Sequence, residues 1–218
     1  MDLSEELKKI SLKQSQNLPP EQLAQINQEI ENLRLSGMIQ NSLQVGDRSP
    51  DFALVNVATG ELVQLEQVWE SGAVVLSFFR GAWCPYCSLE LVSMEKILPV
   101  ILSLNATLLS ISPEISRRSR SAVRERSISH PVLVDSGNQV ARQFGIVHQV
   151  GEVLREIHNG FGVSLPLFNG DETHELPVPA TFIIDRRGVI VYRFVDPDYT
   201  RRLDPVEIIT VLRKLKDN

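Results

Sequence analysis

The chain has 218 residues, of which 43% are hydrophobic, with 22 Lys and Arg against 27 Asp and Glu, a net charge of −5 and two cysteines. That is the balance of an ordinary globular protein able to bury a sizeable core without disulfide staples, and it argues against disorder and against nucleic acid as a partner. The first ten residues are charged and lack the apolar core of a signal peptide, and no apolar run reaches membrane-spanning length, so no membrane partner is expected and a reducing cytoplasm is the expected location.

Residues 1–43 lack β-branched runs and are rich in Gln, Glu, Asn and Leu, broken once at Pro19-Pro20. They read as an N-terminal extension of two helices. The second repeats apolar residues at Leu23, Ile26, Ile30 and Leu33, then Met38 and Ile39, an amphipathic stripe that needs cover. The body of the same chain is one cover; a homodimer contact through these helices is the other.

Residues 44–218 form the expected main domain, in which short strands and helices alternate. Val45 to Val57, Ala58-Thr59-Gly60 and Glu61 to Leu65 read as strand, turn and strand, followed by a brief helix near Glu66 to Glu70. Ala73-Val74-Val75-Leu76-Ser77-Phe78-Phe79 is apolar enough for the middle of a sheet covered on both faces. After Arg80-Gly81-Ala82-Trp83-Cys84-Pro85-Tyr86-Cys87, apolar residues at Leu89, Leu91, Met94, Ile97 and Leu98 predict a helix to about Leu104, kinked near Pro99.

Ala106 to Ile111 completes a βαβ unit, and Ser112-Pro113-Glu114 is expected to open the next helix with Ser112 as its cap. That helix holds the only basic cluster, Arg117, Arg118, Arg120, Arg124 and Arg126, read as a solvated face. Pro131 to Asp135 is a strand, Gly137 to Phe144 a helix closed by Gly145, Ile146 to about Asn159 a helix, and Phe161 to Glu175 a loop. Val178 to Asp185 and Val189 to Val195 make a hairpin, and Asp204-Pro205-Val206-Glu207 caps the last helix. The alternation predicts an α/β fold with a mixed central sheet and helices on both faces.

A Cys-x-x-Cys where a strand passes into a helix, with no other cysteine in the chain, is a redox pair. Unpaired N–H groups and the helix dipole should lower the pKa of Cys84, at the helix start, and leave Cys87 unaided. Cys84 is therefore the expected nucleophile. Cys87 is expected to resolve the product by closing an intramolecular disulfide. Trp83 supplies apolar cover or plain packing; Arg80 either adds positive potential near Cys84 or lies on the surface. Zinc needs four ligands, and neither a second cysteine pair nor a histidine pair at ligand spacing exists, so no metal and no cofactor is expected. His130, His148, His158 and His174 read as surface or packing residues.

Trp83-Cys84-Pro85-Tyr86-Cys87 resembles the active site of the thioredoxin superfamily, with the Pro-Tyr spacer typical of glutaredoxins. Val178-Pro179-Ala180-Thr181-Phe182 is similar to the segment that carries the superfamily's cis-proline, and the resemblance implies that Pro179 takes that place and lines the substrate groove. From about residue 45 to 215, Pro50-Asp51-Phe52, Ile111-Ser112-Pro113-Glu114, Ala141-Arg142-Gln143-Phe144-Gly145 and Thr181-Phe182-Ile183-Ile184-Asp185 resemble the peroxiredoxin-like branch called alkyl hydroperoxide reductase/thiol-specific antioxidant. The chain departs from that branch at Ser77 and Gly81, where it places Pro and Thr or Ser, and near Pro179, where it places Arg. It departs from thioredoxins at Phe78, where they bury an acid.

The resemblance implies a thioredoxin-like fold and an antioxidant oxidoreductase, a peroxidase reducing hydrogen peroxide or organic hydroperoxides with electrons from thioredoxin or a glutathione/glutaredoxin system. The departures leave a thioredoxin- or glutaredoxin-like protein disulfide reductase as the alternative. A redox-sensing interaction module, in which the Cys84–Cys87 disulfide alters the docking of the N-terminal helices, is a third.

Overall fold

The computed structural model describes residues 2–216. Helices α1 (Leu3–Asn17), α2 (Pro20–Leu35) and the single turn α3 (Met38–Asn41) come first. Then follow β1 (Ala53–Asn56), β2 (Leu62–Gln64), α4 (Leu65–Ser71), β3 (Ala73–Phe78), α5 (Pro85–Ser103), β4 (Ala106–Ser112), α6 (Ser116–Glu125) and β5 (Val132–Val134). After a 3-10 turn come α7 (Gln139–Gln143), β6 (Val147–Gln149), α8 (Glu152–Gly160), α9 (Leu165–Asn169), β7 (Glu175–Pro177), β8 (Ala180–Ile184), β9 (Ile190–Val195) and α10 (Pro205–Lys216).

Seven strands form one mixed sheet in the order β2-β1-β5-β4-β3-β8-β9, while β6 and β7 pair apart from it. At its centre β3 runs parallel to β4 (Val75 opposite Leu108) and antiparallel to β8 (Leu76 opposite Phe182). Because strand side chains alternate, β3 serves two cores at once. Val74, Leu76 and Phe78 pack with α4 and α7 through Leu65, Trp69 and Phe144, whereas Val75 packs with Met94 of α5 and Ile208 and Leu212 of α10. The central strand is thus buried on both faces, which is why its sequence is apolar almost without a break.

The N-terminal stripe is covered from within the chain: Ile26, Leu23 and Ile30 join the cluster that contains Leu154 and Ile157 of α8. Helix α1 adds Leu3 and Leu7 to the same cluster and lies against α5. No helix among the described residues is long and apolar enough to cross a membrane.

Four local expectations are corrected. Ser112 does not cap α6: it is held at the end of β4 opposite Val134 of β5, its hydroxyl accepts from the Glu114 N–H at 3.1 Å, and the helix starts at Ser116. Val147–Gln149 is strand because it pairs antiparallel with the remote segment Glu175–Pro177, and only Glu152–Gly160 is helical. The stretch 161–175 contains α9, whose Phe168 carbonyl accepts from Ile115 and ties the helix to the start of α6. Finally, the described residues contain no cis peptide bond, so Pro179 is not a cis-proline. The trans peptide, intrinsically the lower in energy, lets the chain run directly from β7 into β8 while the Val178 N–H donates to Ile146 at 2.8 Å.

Candidate active site

Past Phe78 the chain leaves the sheet with one more ladder bond, from Phe79 N–H to the Ile111 carbonyl. It then turns through Gly81, whose φ of +152° is closed to L side chains; a Cβ there would meet Trp83 Nε1 at 2.2 Å. The turn closes with Cys84 N–H on the Gly81 carbonyl, and the Cys84 carbonyl accepts the first bond of α5 from Ser88. Cys84 is thereby the N-cap residue, with Pro85 at the first helical position and Cys87 in the first turn, as the spacing requires.

Both thiols are reduced and wholly buried, each at 0% exposure. Arg80, itself buried, donates from Nη2 to the Cys84 sulfur at 2.9 Å. Its guanidinium lies over the Tyr199 ring at 4.1 Å and the Trp83 ring at 5.1 Å. Arg202, from the loop before α10, donates from Nη2 to the Cys87 sulfur at 3.1 Å and from Nε to Glu90 at 2.5 Å. Two cations therefore clamp two sulfurs.

The electrostatics separate the pair. Burial alone would raise the Cys84 pKa, but the Cys87 thiol, the Arg80 and Arg202 charges and the Cys87 backbone N–H outweigh it and hold Cys84 well below the usual cysteine range. Burial and the neighbouring Cys84 thiolate push Cys87 well above it. Glu90 is raised to about 7, chiefly by burial, against the pull of Arg202. A thiolate held by guanidinium, beside a thiol that keeps its proton, has the chemistry that nucleophilic attack and resolution require.

Around this core, Glu114 accepts the Ala82 N–H at 3.1 Å and fixes the loop. Gln14 of α1 accepts from Tyr86 Oη at 2.7 Å and donates to Tyr199 Oη at 3.0 Å, which places α1 over the cysteine loop. A cavity of about 470 Å³ opens between α1, α8 and this loop, lined among others by Ile10, Gln14, Arg80, Trp83, Tyr86 and His158. His158 meets the Trp83 ring at 5.2 Å, and burial followed by repulsion from Arg80 and His148 lowers its pKa to about 3, so it is neutral.

Sequence reasoning placed Trp83, Cys84 and Cys87 together and left Arg80 either beside Cys84 or on the surface; the fold brings all four together. Pro179 is close as well, lining a narrow cleft with Arg80, His148 and Tyr199. Ser77, the first of the peroxiredoxin departures, is buried in β3 opposite Thr181. The residues missed were Gln14, Glu90, Glu114, Tyr199 and Arg202. Glu90 alone left a signal, a carboxylate at a core position between Cys87 and Met94 on the inner face of α5. The other four arrive from remote segments.

The family model described as the AhpC/TSA family matches residues 45–193. Among curated proteins, the chain is 29% identical over 104 residues to a putative peroxiredoxin of Mycobacterium tuberculosis, covering 48% of this chain and 67% of that one. It is 19% identical over 153 residues to the thiol-disulfide oxidoreductase ResA of Bacillus thuringiensis, 70% of each chain. Among solved structures, peroxidoxin BcpB of Mycobacterium tuberculosis superposes with a TM-score of 0.62 at 21% identity, covering 79% of this chain and 98% of that one. A peroxiredoxin-like protein from Aquifex aeolicus gives a TM-score of 0.62 at 18% identity, covering 80% and 88%. Gln14, Tyr199 and Arg202 lie outside the matched segment.

Proposed function

Because the chain belongs to the AhpC/TSA family, we propose that it is a thiol-dependent peroxidase that reduces hydrogen peroxide or an organic hydroperoxide at Cys84. The observation that carries this reading is the guanidinium of Arg80. It holds the Cys84 sulfur with Nη2 while its Nε, also buried, has no partner among the described residues. A buried N–H without an acceptor beside a thiolate is costly unless a bound oxygen takes it up, and a peroxide supplies one. The guanidinium absent near Pro179 is thus provided from four residues before the nucleophile.

The Cys84 thiolate attacks one peroxide oxygen, the O–O bond breaks, and the other oxygen leaves as alkoxide or hydroxide and takes a proton. Cys84 is then a sulfenic acid. Cys87 attacks that sulfur, water leaves, and the Cys84–Cys87 disulfide forms; an external thiol donor, such as thioredoxin or a glutathione/glutaredoxin system, returns two electrons. The relative named a thiol-disulfide oxidoreductase favours exchange with protein disulfides instead. Against it stands the complete burial of both sulfurs in the reduced protein beneath the cysteine loop and α1: a small peroxide reaches the reduced Cys84 without the loop movement that a folded protein disulfide requires there.

Peroxide consumption with dithiothreitol as donor decides between the two. Wild type should consume peroxide, Cys84→Ser should not, and Cys87→Ser should hold a sulfenic acid that dimedone traps. Reduction of insulin disulfides without peroxide consumption would establish the reductase instead.

A further inference from the structure

The arginine cluster of α6 does not simply face water. A groove of about 630 Å³ runs along α6 to α9, and its inner wall is the cysteine loop itself, Ala82 and Trp83. Arg117, Arg118 and Arg126 line it. Arg118 lies over the Phe168 ring at 3.9 Å, and Arg126 reaches the Ala82 carbonyl at 3.4 Å. None of the three makes an ion pair among the described residues, although the chain as a whole carries five more negative than positive charges. Two acids share the groove. Glu114 is turned inward to the Ala82 N–H and the Ser119 hydroxyl, which leaves Glu125 as the exposed carboxylate.

Trp83 also lines the apolar cavity on the other side of the loop. One indole of the cysteine loop therefore lines two hollows: a largely apolar one under α1, and a cationic one along α6. Three guanidiniums and one exposed carboxylate complement a molecule that bears two carboxylates and one ammonium. The volume lies within the range of about 300–1,000 Å³ of small-molecule sites.

We propose that this groove binds the reductant of the Cys84–Cys87 disulfide, and that the reductant is a peptide-sized thiol carrying carboxylates. The inference rests on the redox reading given above and names the donor side of that cycle. The donor thiolate attacks the Cys87 sulfur and forms a mixed disulfide with it. Cys84 leaves as the thiolate that Arg80 stabilises, since the thiol of lower pKa is the better leaving group. A second donor thiolate attacks the donor sulfur of the mixed disulfide and Cys87 leaves, taking a proton. Two thiols become one external disulfide, and both cysteines are again reduced.

The test starts from full-length protein oxidised with diamide, so that it does not depend on peroxide turnover. Reduction is followed by thiol release with reduced glutathione, cysteine ethyl ester, dithiothreitol and thioredoxin, each rate being corrected for its thiolate fraction. Glutathione should exceed the carboxylate-free ester by about tenfold or more at low salt, and the advantage should shrink as salt screens it. In R117E/R118E, and to a smaller degree in R117E alone, the ratio of the glutathione rate to the dithiothreitol rate should fall about tenfold. An unchanged ratio, an advantage indifferent to salt, reduction by thioredoxin alone, or failure of diamide to form the disulfide each overturns the proposal. If the disulfide is reduced with the expected charge dependence while no peroxide is consumed, the groove assignment stands and the peroxidase reading falls.

Discussion

Arg202 donates to the Cys87 sulfur at 3.1 Å from a position 115 residues further along the chain. The same guanidinium holds Glu90, one helical turn beyond Cys87, so a buried ion pair is attached to the Cys87 thiol. Neither charge touches Cys84 directly, yet Arg202 contributes to lowering its pKa. Arg202 therefore acts on both cysteines.

Arg202→Met leaves Glu90 buried without its cation. Breaking a buried pair from one side costs about 3–5 kcal/mol, to be measured by urea unfolding. Adding Glu90→Gln should recover at least about 1 kcal/mol of that loss, because the stranded charge is removed. Without Arg202 the Glu90 pKa should rise above about 7. A carboxyl raised in the fold releases its proton sooner when unfolded, so the single variant should lose stability as pH rises from the ordinary carboxylate range through neutrality. The double variant should not show that slope.

Arg80→Gln removes the charge-assisted bond on Cys84. Such bonds contribute about 1.5–3 kcal/mol, so the Cys84 pKa should rise by about one to two. Thiolate absorbance near 240 nm, followed against pH, reads this directly. Peroxide consumption at the pH where wild type is already ionised should fall about tenfold or more and recover in part at higher pH. A fall with an unmoved titration would assign Arg80 to peroxide binding alone.

Gln14→Leu cuts both bonds that tie α1 to Tyr86 and Tyr199. Two net hydrogen bonds amount to about 1–3 kcal/mol. Amide exchange in α1 should quicken, and Cys84, at 0% exposure in the wild type, should be alkylated faster, the loss appearing in local opening of α1 before the global unfolding transition. Unaltered exchange and alkylation would mean that apolar contacts alone hold α1 in place.

Gly81→Ala forces a Cβ into Trp83 and a left-handed backbone onto alanine. Strain of this kind costs about 1–3 kcal/mol. Trp83 should be displaced, which its fluorescence reports, and Cys84 reactivity should drop with it.

The βαβ unit, the hairpin and the N-cap position of Cys84 were legible because each is local: a β-rich run, Gly81, Pro85 and a 3.6-residue apolar repeat set strand, cap and helix between Ala73 and Ser103, and Gly188 turns β8 into β9. The positions of the two sulfurs followed from the same local physics, since spacing places one at the cap and the other in the first turn. Strand β6 was not legible, because its hydrogen-bonding partner β7 is supplied only by the folded chain. The trans peptide at Pro179 escaped a sequence reading as well, since a proline tolerates both isomers and the surrounding contacts choose between them. What the cysteine motif determined by itself was a pair of thiols at the start of a helix; what only the tertiary structure decided was its charge environment. Arg80 turned inward, Arg202 and Glu90 met beneath α5, and the arginines of α6 came to border the cysteine loop, because packing brings remote residues together without leaving a period or a spacing along the chain.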